Sequence, residues 1–271
     1  MKSLTILLNL CGLFFYTASN AQSAEDYFKS GINKYDGKDF NGSIADFTRA
    51  IELKPKYPGA FYNRGTVKNK IKDYTGAIED FTRAIDQYPN YIEAYLNRGI
   101  AKKNLGDFAA ATIDYNKALE IDPKYAKAYE NRGIAKYSLK DTSGAITDFN
   151  KSIEFNPKNY MTYYNLAKIK KDLNDLNGAV ENYDKSIELN PNYAEAYNNR
   201  GTAKYLKPDY KAAIEDYNKA IEIYPLYADA YYNRGISKFM TDDKSGGCAD
   251  VNKSIELGYA FAEETRKKYC H

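Results

Sequence analysis

The triplets Asn63-Arg64-Gly65, Asn97-Arg98-Gly99, Asn131-Arg132-Gly133, Asn199-Arg200-Gly201 and Asn233-Arg234-Gly235 recur in register at a period of 34 residues, and Asn165-Leu166-Ala167 fills the one gap. A fixed period of this length does not build one closed core. Each period is a supersecondary unit that buries its apolar stripe only against its neighbours, so the chain is expected to fold as a stack. Laid out at this period, the chain gives seven repeats, 24–57, 58–91, 92–125, 126–159, 160–193, 194–227 and 228–261, with 262–271 left over.

Four positions carry the architecture. The fourth is always aromatic (Tyr27, Phe61, Tyr95, Tyr129, Tyr163, Tyr197, Tyr231), and the twentieth is always small, from Ser43 and Ala77 to Gly247. The twenty-fourth is large and apolar (Phe47, Phe81, Tyr115, Phe149, Tyr183, Tyr217, Val251), and the thirty-second is proline from Pro55 to Pro225 in the first six repeats. Aromatic, glycine, small, aromatic and proline in that order resemble the tetratricopeptide repeat, and the resemblance covers residues 24–261. It implies an all-α fold, a right-handed superhelical solenoid of seven helix-turn-helix units. Proline stops the second helix of each. Asp39, Asp73, Asp107, Asp141, Asp175, Asp209 and Asp243, always at position sixteen, suit the N-cap of that second helix. Gly258-Tyr259 replaces the last proline, and the stretch from Phe261 to Tyr269 reads as a polar-faced capping helix.

On a helical wheel, positions 2, 5, 6, 9, 12 and 13 of the first helix share one face, opposite the packed face marked by the aromatic at 4 and the glycine at 8. In tetratricopeptide proteins that other face lines a concave groove. The resemblance therefore places Asn63, Asn97, Asn131, Asn165, Asn199 and Asn233 in a row along it. A carboxamide both donates and accepts, which suits it to hold the backbone of an extended peptide; the alternative is that each amide bonds its own helix or a neighbouring repeat. Tyr62, Ile100, Ile134, Tyr137, Tyr164 and Tyr205 add rings and aliphatic surface to the expected groove. These favour apolar side chains, or sugar faces stacked on rings. The carboxylate clamp of chaperone-binding relatives is missing: Phe28, Ile32 and Glu93 stand where two lysines and an asparagine would be required.

Position 7 is usually leucine in that family, so the arginines there need partners. Position 23 supplies them: Asp80, Asp114, Asp148, Asp216 and Asp250 accompany Arg64, Arg98, Arg132, Arg200 and Arg234. The repeat that replaces arginine with Leu166 also replaces the acid, with Asn182. Lysine fills position 11 throughout, from Lys34 to Lys238, and its ammonium is expected to snorkel to solvent.

Residues 1–21 differ in kind. Lys2, the apolar run from Leu4 to Tyr16 and the small-x-small Ser19-Asn20-Ala21 read as a secretory signal peptide, which leaves Gln22 as the new N-terminus. A retained anchor fits less well, because the run is interrupted by Asn9 and is shorter than the roughly 20 residues a span needs. Nor does Leu8-Asn9-Leu10 before Cys11 resemble a lipobox. Export leaves Cys248 and Cys270 in an oxidising compartment, as a bridge or as two free thiols, and the even count favours the bridge.

With 39 basic and 36 acidic side chains, the charge of +3 gives no reason to expect nucleic acid. The only histidine is His271, which argues against histidine-based nucleophile activation and histidine-rich metal sites, and no glycine loop suited to phosphate appears. The expectation is an exported, non-enzymatic scaffold without cofactor or metal, binding a protein or extended peptide along its groove at the cell envelope. Two alternatives stand beside it: a structural subunit of an envelope assembly working through its convex face, and carbohydrate or cell-wall binding through exposed tyrosines. The partner and the oligomeric state are not legible in the sequence.

Overall fold

A computed structural model describes residues 22–270, so the signal peptide expected over 1–21 lies outside the described residues. Among these, the helices are α-helices throughout, and they fall into two compact bodies that meet in sequence between Gln87 and Tyr88. The first body contains α1 (Ala24–Asp36), α2 (Phe40–Leu53), α3 (Pro58–Lys70) and α4 (Tyr74–Gln87). The second contains α5 (Ile92–Asn104), α6 (Phe108–Ile121), α7 (Ala126–Ser138), α8 (Thr142–Phe155), α9 (Tyr160–Asp172), α10 (Leu176–Leu189), α11 (Ala194–Leu206), α12 (Tyr210–Ile223), α13 (Ala228–Phe239), α14 (Lys244–Glu256) and α15 (Ala262–Tyr269). Odd- and even-numbered helices up to α14 are the first and second helices of the repeats, and α15 closes the series against α14.

Local chemistry sets the boundaries. In all seven repeats the position-sixteen aspartate accepts the backbone N–H three residues on, from Gly42 onto Asp39 at 2.9 Å to Gly246 onto Asp243 at 2.9 Å. Each bond satisfies one of the free amides that open the second helix, worth about 1 kcal/mol. α1 carries a reciprocal cap, in which Ser23 Oγ accepts from the Asp26 amide and the Ser23 amide donates to Asp26 Oδ2.

Gly99 on α5 makes room for the Tyr115 ring of α6. A Cβ on Gly99 would stand 2.5 Å from the edge of the Tyr115 ring, so glycine lets α5 close on α6 in this arrangement, whereas in the fifth repeat Ala167 shares a core cluster with the equivalent Tyr183. Tyr115 is fully buried beneath Ala111 and Ala118. Its burial contributes on the order of 2 kcal/mol, which outweighs the helix propensity lost at glycine, roughly 1 kcal/mol.

The C-terminal end is fixed differently. Cys248 and Cys270 are joined by a disulfide that ties the end of α15 to α14, with their Cα atoms 5.5 Å apart. Tyr269 stacks on Phe239 at 4.9 Å between centroids, and Tyr232 and Thr265 share a hydroxyl hydrogen bond of 3.1 Å. α15 thus covers the apolar surface that an eighth repeat would otherwise cover.

Candidate functional site

Two sets of side chains project from the first helices, and they divide structure from surface. The arginines belong to the interior. Arg98 Nε and Nη2 donate to the two carboxylate oxygens of Asp114 at 3.0 and 2.7 Å, a planar two-point pairing repeated by Arg64, Arg132, Arg200 and Arg234 with Asp80, Asp148, Asp216 and Asp250. Each guanidinium also lies over the ring three residues before it, as Arg98 does over Tyr95 at 5.5 Å.

The expectation for the position-eleven lysines needs correcting. In five repeats the ammonium group turns inward to a carboxylate instead of snorkelling into solvent. Lys68, Lys102, Lys136, Lys204 and Lys238 each sit 2.8 to 2.9 Å from the second oxygen of the same aspartates. A carboxylate with almost no access to water is thereby neutralised by two cations, and this attraction outweighs the lysine's gain from hydration. Arginine has a further role that sequence reasoning missed. Nη1 of Arg64, Arg132 and Arg234 reaches back to the preceding repeat, to Thr48, Asn116 and Asn218, at 2.6 to 3.0 Å, and Arg200 reaches Asp184 in the same way. The signal was the uniformly polar position 25.

The asparagine row is not uniform. Asn63, Asn131 and Asn199 each donate to the carbonyl four residues back in their own helix, at Gly59, Lys127 and Glu195. Asn131 Oδ1 accepts from Lys103 at 2.9 Å and Asn199 Oδ1 from Lys171 at 3.4 Å, while the Asn199 amide also reaches the Tyr164 hydroxyl. Asn233 donates to Asn198 at 3.0 Å. Asn97 holds the equivalent place on α5, half-buried. The Asn165 side chain makes no hydrogen bond with any described residue. For Asn131 and Asn199, the local alternative describes the structure: both ends of the amide are already engaged.

Position 12 explains the difference. Where it is lysine, at Lys103 and Lys171, the side chain lies across the junction with the next repeat and caps that repeat's asparagine. Burial holds both ammonium groups below their ordinary pKa. Where it is tyrosine, at Tyr35, Tyr137 and Tyr205, a slot opens instead. One slot, of about 40 Å³, is lined by Ile32, Tyr35, Phe47, Asn63, Thr66 and Val67 in the first body. Two more lie in the second body. Ile134, Tyr137, Ser138, Phe149, Asn165, Lys168 and Ile169 line one of about 190 Å³. Thr202, Tyr205, Leu206, Tyr217, Tyr232, Asn233 and Ile236 line another of about 270 Å³.

The remaining predicted residues pack locally. Tyr62 lies 5.8 Å from the Phe81 ring, and Ile100 packs on the core around Tyr115. Tyr164 nests between Tyr183 and Tyr193, at 5.9 and 5.0 Å. Tyr137 donates to Asp172 at 2.5 Å, a bond that pushes its own pKa up to about 12. Beside them Glu130, which sequence reasoning did not single out, accepts from Asn159 at 2.8 Å, and burial raises its carboxyl pKa.

Models of the tetratricopeptide repeat match residues 28–92, 92–125, 126–159, 149–181, 167–207 and 205–241. The chain belongs to the tetratricopeptide repeat family. No curated protein matches this repeat protein in sequence. Among solved structures it is similar to a tetratricopeptide repeat protein from Parabacteroides merdae, at 22% identity and a TM-score of 0.70, covering 93% of this chain and 100% of that one. It is also similar to YrrB, a TPR protein described as having an unusual peptide-binding site, at 24% identity and a TM-score of 0.59, covering 70% and 99%. MamA is similar at 26% identity and a TM-score of 0.54, covering 59% and 93%. Tetratricopeptide repeats are protein-interaction scaffolds, typically without catalysis, and among the described residues no helix is long and apolar enough to cross a membrane.

Proposed function

We propose that this protein is a non-enzymatic scaffold that binds an extended peptide segment of a partner protein along the face of its first helices, and that it does so after export, at the cell envelope. The observation that carries the peptide reading is the slot built at Tyr137 and Asn165: apolar walls from Ile134, Phe149 and Ile169, and an unengaged carboxamide at its edge. A cavity of about 190 Å³ admits one side chain, and the carboxamide offers the paired donor and acceptor that a peptide backbone requires. Sugar binding is less well supported, because Tyr164 is enclosed by the Tyr183 and Tyr193 rings and the hydroxyls of Tyr137 and Tyr164 are already bonded to Asp172 and Asn199. Export rests on the leader read from Lys2 to Ala21 and on the Cys248–Cys270 bridge, a bond that persists in oxidising compartments.

A photocrosslinking phenylalanine placed at Tyr205, and in a second variant at Ile113 on α6, tests the choice of surface in the source cell. Tyr205 should give a discrete protein adduct and Ile113 none. Adducts confined to Ile113 would assign binding to the second helices and favour the structural-subunit reading instead.

A further inference from the structure

The slots of the second body alternate with closed junctions, and this alternation constrains the ligand. From α7 to α13, an open slot at Tyr137 and Asn165 is followed by a junction closed by Lys171 on Asn199, and then by an open slot at Tyr205 and Asn233. The two slots are therefore two repeats apart. α11 touches both α9 and α13, and packed helices stand about 8–10 Å apart, so two repeats put the slots roughly 20 Å from one another. An extended chain covers that distance in about six residues.

Two lysines stand between them. Lys168 lies at the edge of the first slot with its ammonium 5.7 Å from the Tyr164 ring, and Lys171 fills the closed junction. Among the described residues neither has a carboxylate within ion-pair distance. Asp172, the nearest acid in sequence, is occupied by the Tyr137 hydroxyl. The exposed acids Glu195 and Asp229 stand at the second position of their helices, toward the opposite end from the lysines at positions 9 and 12.

The molecule also shows what sits well on a position-twelve ring. At Phe239, the equivalent residue of the last repeat, the chain seats its own Tyr269 in a stacked arrangement at 4.9 Å.

We infer that the ligand is an acidic-centred peptide: an extended segment with two large apolar side chains, aromatic ones favoured, about six residues apart, and at least one carboxylate between them that pairs with Lys168 and Lys171. The apolar side chains fill the slots at Tyr137 and Tyr205, and Asn165 and Asn233 hold the backbone as it enters each. This rests on the peptide-binding reading and adds its sequence rule.

Selection of a random displayed peptide library on the immobilised protein tests it, followed by labelled-peptide titration of the winners. The expected winners carry two apolar residues about six apart with Asp or Glu between. Tyr137→Ala and Tyr205→Ala should each weaken them about tenfold or more, and Lys168→Glu should reverse the preference for a central acid, all with unchanged helical melting. Winners that depend on Tyr137 or Asn165 but lack the spacing or the acid would overturn this inference and leave the groove reading standing. Winners indifferent to Tyr137, Asn165 and Tyr205, or no enrichment, would overturn both.

Discussion

Arg98 and Asp114 form a two-point ion pair across α5 and α6, and Lys102 completes it by closing on the same carboxylate at 2.8 Å. Truncating Asp114 leaves two cations at the helix interface without their anion. Asp114→Ala should therefore cost about 3–5 kcal/mol in denaturant unfolding. Glu120 pairs with Lys117 on the exposed surface, and Glu120→Ala should leave stability nearly unchanged. Equal losses would remove the arginine-aspartate pair from the list of structural elements.

The fifth repeat supplies the complementary test. Leu166 and Asn182 replace the pair, Asn182 bonds its own helix at Gly178, and Lys170 is left 3.9 Å from Asp175. Leu166→Arg alone buries an unpaired charge. Combined with Asn182→Asp it should recover part of that loss, with a favourable coupling of about 1–3 kcal/mol in a double-mutant cycle. Additive effects would mean that the pairing depends on more than these two positions.

Glu130 should make stability depend on pH in a definite direction. Burial raises its folded-state pKa above the ordinary 4.5, with the Asn159 hydrogen bond and Lys103 and Lys127 opposing. Below pH 4.5 the carboxyl is protonated in both folded and unfolded chains, and its burial carries no charge penalty. As pH rises through the folded-state value, the folded chain must ionise a buried group and its stability falls. Glu130→Gln keeps an acceptor for Asn159, so the variant should melt above the parent at pH 7, with the gap closing as pH falls to 4. A constant gap across that range would show that Glu130 does not titrate abnormally.

Most of the fold was legible because each repeat states the same rule. Gly99 and Tyr115 sit at positions 8 and 24, Asp107 at 16, and the helix starts at Ala24, Pro58, Ile92, Ala126, Tyr160, Ala194 and Ala228 follow the period. The pairing of Arg98 with Asp114 was readable because both disappear together at Leu166 and Asn182. The lysine at position 11 misled, since a wheel shows which side a residue faces but not that an aspartate oxygen already bonded to arginine can also take the lysine. The asparagine row left two readings open for a related reason. Whether Asn131 or Asn165 is available depends on a side chain from the preceding repeat, Lys103 or Tyr137, and such contacts are not visible in a position-by-position count.

The C-terminal cap depends on its covalent tie. The Cys248–Cys270 bridge spans 22 residues, and closing a loop of that length contributes about 3 kcal/mol in the chain-entropy model. Cys248→Ser with Cys270→Ser should release α15, unstack Tyr269 from Phe239, and raise amide exchange across α13 to α15 while α5 to α8 keep their protection. Unchanged exchange in α15 would show that Tyr269, Thr265 and Ala262 suffice to hold it.

Isoleucine methyl NMR on the titrated protein addresses the central claim directly, because isoleucines report from both helix sets. Ile134, Ile169 and Ile236 line the slots, whereas Ile113 projects from α6, 62% exposed. A peptide with two phenylalanines about six residues apart and glutamate between them should shift Ile134, Ile169 and Ile236 saturably and leave Ile113 unmoved. Saturable shifts at Ile113, or none at the three slot isoleucines, would contradict a peptide site on the face of the first helices.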